Sequence, residues 1–556
     1  MKLSLIHGKR CKAWMLCMGM CIVSGSGVFA QNNDGELQID DEYQIIGRDT
    51  RVFQIEGDRL STVRFLPQAL PLPEEERDIE SSEGLISEDE RLFKKTQFRS
   101  EKGSFAAVDL GVGKLTPFDG WVKASVDIGK LAGTVTLDDR HARENTPAND
   151  APQSQDVEVA GYGTVAGIAS SAAFRFTRED EDVLGGMLRF NDRSVSGFGG
   201  SMSARAGLGT NWDSVARVSF DTVGYEDTDI KKNENDVSFT GDAHLTGDFW
   251  ISTIRFDAEY DYSKFGADSG SIVKAGAIAL FNPFAGLGIG VGAAFYGSAV
   301  PDGDGLDGEV YPDVTVDWAF SRSLFARARY NPGVVRRSVS DIYQENGLYD
   351  FGLPMLFEKR TLNAGGEIGW RFAETSSASV GMFRISVENA LVFKPTTGNS
   401  VFAVIPEMET TISGVRAKVS FRPGERWGVD GLAVFRETTC DSLTTAGAVS
   451  GDVPFIPSFE ARADGFFRLV GELRLTGTAR FHGKYNYYDD ASPGSKVSED
   501  GFFTVDCGIE HPVFTVMTAW FMIRNLTDSA GSWWTANYKI PSVGFYGGIR
   551  TTLATD

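Results

Sequence analysis

Histidine and cysteine are scarce in this chain. Five histidines are spread over 556 residues, too few for a multi-histidine metal centre. Of the five cysteines, Cys11, Cys17 and Cys21 precede the cleavage point argued below, which leaves Cys440 and Cys507. Two cysteines supply neither a disulfide framework nor a thiolate cluster. No Gly-x-Ser-x-Gly elbow or other catalytic constellation stands out, so no enzyme, no cofactor and no metal is expected. Past the N-terminus no apolar run approaches the roughly 20 residues that a spanning helix needs. Basic excess is missing too: the net charge of −22 argues against nucleic acid as a partner and suits acidic exposed loops. Proline stands at 19 against 63 glycines, a balance that suits long strands joined by tight turns.

The first residues specify export. Lys2, Lys9, Arg10 and Lys12 form a basic region, Ala13 to Val23 an apolar one, and Val28-Phe29-Ala30 a small-residue cleavage site before Gln31. These are the parts of a secretory signal peptide, assigned to residues 1–30. Residues 31–102 form a separate unit. Tyr43 to Phe53 mixes β-formers with charge, and Leu72 to Arg91 is acidic, with little to bury. The reading is a periplasmic segment or small plug able to meet a periplasmic protein, the first part by adding a strand to a partner's sheet edge.

From Gly103 onward the residues alternate with period two. Ile254, Phe256, Ala258, Tyr260 and Tyr262 share one face, and Arg255, Asp257, Glu259 and Asp261 the other. The same alternation recurs at Ala216–Asp221, Val314–Phe320 and Glu472–Phe481. A soluble sandwich would alternate as well. Two features favour a membrane barrel: strands of about 9–12 residues, the length that crosses at a tilt, and turns that alternate short and long. The short turns are read at Asn282-Pro283, Arg422-Pro423-Gly424-Glu425, Val470-Gly471 and His511-Pro512, and the long loops at 299–312, 333–359, 437–454, 484–500 and 527–542. Trp121, Trp250, Trp318, Trp370 and Trp427 fall near strand ends, as interfacial aromatics do.

The charged face of such strands belongs to the lumen, because a Lys or Arg facing lipid costs about 2–4 kcal/mol at midplane. The lumen-facing set is Arg217, Arg255, Asp257, Glu259, Asp317, Arg327, Arg329, Glu460, Arg462, Asp464, Arg474 and Arg480. These charges either line a solute pathway or pair with one another and with a plug. His482 and His511, at a strand end and a turn, read as surface histidines. Asp302-Gly303-Asp304-Gly305-Leu306-Asp307-Gly308-Glu309 has carboxylates on a glycine-rich turn. It lacks a full calcium-loop pattern and reads as a solvated acidic loop.

The last two hundred or so residues resemble the C-terminal half of TonB-dependent receptor barrels. Glu367-Ile368-Gly369-Trp370 is similar to that family's E-x-G strand, Met382-Phe383-Arg384-Ile385 to its next strand and Ser413-Gly414-Val415-Arg416 to a strand opening. Phe455-Ile456-Pro457, Phe481-His482-Gly483, Asn525-Leu526-Thr527-Asp528 and Gly548–Leu553 follow in the family's order. Phe357-Glu358 stands where the family has Pro-Glu, and Ser542-Val543 where it has Gly-Arg. Leu553 stands in place of a terminal aromatic, which bears on recognition by the barrel assembly machinery. The resemblance implies the barrel but not the family's gating plug, for which residues 31–102 are too few; Ile46-Gly47-Arg48 is only a faint echo of a plug motif.

The sequence therefore predicts an all-β fold. Residues 103–556 form a transmembrane antiparallel β-barrel of about 22 strands, with 20 as the alternative. It is expected in the cell outer membrane, embedded in outer-membrane lipid. The expected function is a passive or partner-gated channel for small solutes. The alternative is a non-transport barrel that anchors a periplasmic or cell-surface assembly.

Overall fold

The computed structural model describes Phe105 to Ala554 except residues 114–117, 128–130, 142–152, 166–167, 184–189, 210–211, 228–231, 250–251, 266–267, 285, 300–306, 322, 338–355, 374, 397–400, 406–407, 425, 443–449, 470–472, 489–495, 515, 530 and 532–541, with side chains given mostly from Gln155 on. The expected signal peptide, residues 31–102 and Asp302 to Leu306 lie outside the described residues.

β-Strands account for nearly all of what is described, and they join into one antiparallel sheet of 24 segments. The sheet closes on itself. Phe105–Gly113 pairs with Phe118–Asp127 on one side and with the last strand, Gly544–Ala554, on the other, in register from Phe105↔Ala554 to Gly113↔Tyr546. Two segments continue a neighbour rather than cross anew. Leu324–Tyr330 and Gly333–Arg337 share the partner Leu356–Ala373, and Ser450–Gly451 and Phe459–Arg468 share Trp427–Ser442. Removing those two from the 24 leaves 22 crossings, the expected number. Closure matters physically because lipid offers no hydrogen bonds to an open strand edge.

The two faces differ as the alternation requires. Phe198, Met202, Val218, Phe220, Phe256, Val291, Phe295, Ile368, Val380 and Met382 are large, apolar and exposed, an arrangement that water would disfavour and a hydrocarbon layer favours. Connections alternate in length around the ring. Phe249 and Ser252, Phe284 and Leu287, Ala373 and Ser376, and Phe514 and Met517, all on one side, are joined by two residues each. On the other side, of the successive crossings described, only Phe265 and Asp268 are joined so briefly. Other connections, such as Glu388 to Met408 and Arg524 to Gly544, are long. The first strand begins and the last one ends on the side of the short turns.

Several expectations need correction. Strands reach 18 residues in Phe190–Gly207, Lys232–Phe249 and Leu356–Ala373, longer than a membrane crossing requires. In Phe190–Gly207 the outward positions change from Phe198 and Met202 to Ser194 and Ser196 toward the long-loop end, so the excess extends past the apolar band on that side. Strands also continue into the ranges read as long loops, at Asp307–Ala319, Gly333–Arg337 and Trp427–Ser442. The prolines read as short turns lie inside strands instead. Asn282-Pro283, Arg422-Pro423 and His511-Pro512 precede the actual turns, at register shifts between Phe281 and Phe284, Phe421 and Gly424, and Pro512 and Phe514. Proline has no N–H for the ladder and is tolerated where the ladder is already irregular.

The expected aromatic belt is present where side chains are described. Trp318 packs on Phe320 at 3.9 Å between ring centroids. A chain of rings runs from Trp370 through Phe372 and Phe421 to Trp427, with steps of 5.2, 5.8 and 5.2 Å. All of these lie beside short turns. The side chains of Trp121 and Trp250 are outside the described residues.

Candidate functional site

Antiparallel register sets charged side chains on one strand against those of the next, on the face opposite the exposed aromatics. Asp317 and Arg327 are register partners, as are Arg327 and Glu367. Arg327 Nε lies 3.3 Å from Asp317 and Nη1 lies 3.8 Å from Glu367, so one guanidinium bridges three strands. Across Ser252–Phe265, Arg255 Nε meets Asp257 at 3.0 Å. Asp257 in turn meets His244 Nδ1 at 2.5 Å, while His244 Nε2 lies 3.2 Å from Asp242. Lys274 Nζ donates to Glu259 at 3.3 Å.

The same pattern runs through the C-terminal strands. Arg462 pairs with Asp464 at 2.7 Å, and Thr478 Oγ1 donates to the same carboxylate at 2.8 Å. Arg474 and Arg550 flank Glu510 at 3.6 and 3.9 Å, and Arg480 lies 3.7 Å from Asp506. Glu460 holds Arg436 on one oxygen and His482 Nδ1, at 3.0 Å, on the other. The charges named from sequence other than Arg217 and Arg329 thus stand in ion pairs; Arg217 Nε and Arg329 Nε are buried without a hydrogen-bond partner among the described residues.

Sequence reading missed the partners on adjacent strands: Asp242, His244, Lys274, Glu367, Arg436, Asp506, Glu510 and Arg550. Their signal existed, since each occupies the polar phase of its own strand, but pairing them required the register. His482 also departs from expectation. It is a buried residue at 5 % exposure, its ring stacked on Phe502 at 4.9 Å and edge-on to Tyr485 at 5.4 Å. His511 is exposed as expected.

On the long-loop side this face turns apolar. Ile385, Val387, Met408 and Cys440 from the strands pack with Ala390, Val392, Val453 and Ile456 from the connections, and Met408 is fully buried. Two small hairpins stand in these connections, Val392–Thr396 with Val401–Ile405 and Tyr485–Tyr488 with Lys496–Glu499. Phe455, held at φ 62°, stacks on Tyr487 at 5.5 Å. The loops therefore have a core of their own, built on the wall between Ser376–Glu388 and Arg474–His482. Glu499 in the second hairpin has its pKa raised, first by burial and then by the neighbouring Asp500 charge.

Asn525-Leu526-Thr527-Asp528 is a built turn. Asn525 and Asp528 take left-handed backbone, at φ 45° and 49°, which short polar side chains tolerate. The Asn525 N–H donates to Asp506 at 2.9 Å, its Nδ2 donates to the Ser529 carbonyl at 3.1 Å, and Thr527 Oγ1 donates to the Phe503 carbonyl at 2.8 Å. That explains in physical terms why this motif closes the strand Met517–Arg524.

Among the described residues no group of three or more His, Cys, Asp or Glu is arranged to hold a metal ion. Residues 113–526 match the family model described as TonB dependent receptor-like, beta-barrel. No curated protein sequence matches the chain. Similar solved structures include the FrpB iron transporter of Neisseria meningitidis in its apoprotein form, at 10 % identity and TM-score 0.67, covering 82 % of this chain and 81 % of that one. The ferric-catecholate import receptor Fiu of E. coli K12 is similar at 9 % identity and TM-score 0.64, covering 81 % and 82 %. The siderophore receptor PiuA of Acinetobacter baumannii is similar at 10 % identity and TM-score 0.61, covering 82 % of each chain.

Proposed function

The chain belongs to the TonB-dependent receptor-like β-barrel family, whose members are outer-membrane transport barrels rather than enzymes, and from that premise we propose that it passes small solutes through its lumen as a passive or partner-gated channel. The observation that carries this reading is the charged face. Its ion pairs link neighbouring strands, as at Asp317–Arg327–Glu367 and Arg480–Asp506, and stand opposite a face of exposed Phe, Val, Ile, Met and Trp. Charges placed that way are solvated by one another and by lumen water, and they offer a passing solute a polar wall. The buried loop core on the long-loop side narrows the entrance from outside. Identities near 10 % support the fold alone, so the iron cargo of those relatives is not carried over.

Residues 31–102 are the proposed gate. The first strand opens on the short-turn side, which in this reading faces the periplasm, so the segment reaches either the lumen or a periplasmic partner. Planar-bilayer recordings on the purified full-length protein, and on a variant lacking residues 31–102, test the proposal. Current from either supports transport. Silence from both overturns it and leaves the anchoring role. Deleting residues 31–70 should leave the barrel heat-modifiable on gels. It should raise conductance if the segment plugs the lumen, or lose a co-purifying protein if it docks one; no change in either removes the gating role.

A further inference from the structure

One part of the wall leaves the ring. The ladder between Asp307–Ala319 and Leu324–Tyr330 ends at Val314↔Tyr330, although Asp307–Ala319 stays paired with Leu287–Ala299 as far as Asp307↔Ser298. Asn331-Pro332 follows, and proline cannot donate to a ladder. The interruption is held by the Asn331 N–H donating to the Asn363 carbonyl and by Asn363 Nδ2 donating to Asn331 Oδ1, both at 3.0 Å.

The next segment, Gly333–Arg337, keeps its pairing with Leu356–Arg360, yet it touches Asp268–Phe284 and Leu287–Ala299. Those strands stand three and two places away in the ring. At about 4.8 Å per strand spacing they would be roughly 10–14 Å distant along the wall, so the segment must lie across the sheet. The face is the charged one. A Cβ on Gly333 would sit 2.7 Å from Tyr296 Oη, and Tyr296 alternates with the exposed Phe295.

Arg336 rides on this segment. Its charge reaches Asp261 of Ser252–Phe265, yet its Nε and Nη1 are buried with no hydrogen-bond partner among the described residues. Of the acids nearby, Glu259 is served by Lys274 at 3.3 Å and Asp261 by Thr240, while Asp313, two residues from the Thr315 that registers with Arg329, keeps one buried oxygen, Oδ1, without a hydrogen-bond partner among the described residues. Arg329 Nε, on the adjoining Leu324–Tyr330, is also buried without a partner. Three buried guanidinium N–H groups, Arg336 Nε and Nη1 and Arg329 Nε, thus stand against one unpaired acceptor, Asp313 Oδ1, and donors remain in surplus at this point of the wall. Leaving them unmade is costly, and the planar fork of a guanidinium matches a carboxylate or a phosphate.

We propose that Gly333–Arg337 forms a constriction in the lumen, where Arg336, backed by Arg329, binds an oxyanion group of the passing solute. This rests on the transport reading above. The test is reversal potential in a potassium chloride gradient across planar bilayers, for the full-length protein and R336E, R336K and R329E, with folding checked by heat-modifiability. Wild type and R336K should prefer anions, and R336E should move the preference toward potassium, with R329E moving it less. Inorganic phosphate and acetate are then added separately as blockers. Whichever blocks at lower concentration identifies the oxyanion, and R336E should weaken that block about tenfold or more, the scale of one charge-assisted hydrogen bond. If R336E conducts with wild-type reversal potential and wild-type block, the constriction is refuted and the transport reading stands. If neither the full-length protein nor the form lacking residues 31–102 conducts, both fall.

Discussion

Replacing Glu460 by Gln should unlatch the loop core from the wall. Glu460 is held between Arg436 and His482, with side chains exposed by 15 %, 8 % and 6 % respectively. The amide keeps the shape of the carboxylate but removes the negative charge that pairs with both groups. Breaking a buried ion pair from one side costs roughly 3–5 kcal/mol, because the remaining charge stays buried. Glutamine keeps one acceptor oxygen, so the lower end, about 3 kcal/mol, is expected, or roughly a hundredfold in the unfolding equilibrium. Replacing both charges with apolar side chains, as in R436M/E460L, should recover most of that loss. Denaturant unfolding of the refolded barrel in lipid vesicles, followed by tryptophan fluorescence and extrapolated to water, measures both variants. His482 stacks against Phe502 and Tyr485, so E460Q should also speed proteolysis within 483–501. An E460Q protein with the wild-type midpoint, or a double variant no more stable than the single one, would refute the reasoning.

Other expectations follow from the same geometry. Val380, 58 % exposed on the apolar face, should cost about 2–4 kcal/mol when changed to Arg if that face meets lipid; a neutral V380R in vesicles would place the face in water. Met408→Ala removes a fully buried side chain from the loop core and should cost about 2–5 kcal/mol, whereas Met382→Ala at 71 % exposure should cost far less, and equal losses would contradict the assignment of faces. Burial and Asp500 raise the Glu499 pKa, so the folded hairpin binds this proton more tightly than the unfolded chain does. Its contribution is full below the ordinary carboxylate range and is lost as pH rises through the raised value. Hydrogen-exchange protection at Tyr485–Tyr488, relative to the unfolded chain at the same pH, should therefore fall across that window in wild type and stay level in E499Q; an identical protection profile in the two proteins would count against the burial.

The sequence by itself determined the all-β class, a barrel of about 22 crossings and the polar and apolar faces of strands such as Ser252–Phe265. These follow from a one-dimensional pattern, a period of two that the pleated backbone converts directly into opposite faces; the expected export signal lies outside the described residues. It also identified Glu460, Arg462, Asp464, Arg474 and Arg480 as one polar set. What it could not supply was pairing. The partners of Glu460 come from two different strands, and Arg436 and His482 meet there only because the register places them there. His482 looked like a surface group because its cover comes from Tyr485, Phe502 and Glu460, which strand register and the 483–501 connection bring against it. Pro283, Pro423 and Pro512 were misread as turns because proline marks any break in the ladder, and only the closed sheet distinguishes a shifted register from a reversal. The displacement of Gly333–Arg337 onto the strands around Tyr296 is likewise invisible in sequence. Gly333-Val334-Val335-Arg336-Arg337 carries no period-two alternation of its own, and its position is decided by which neighbouring strand the chain stops pairing with.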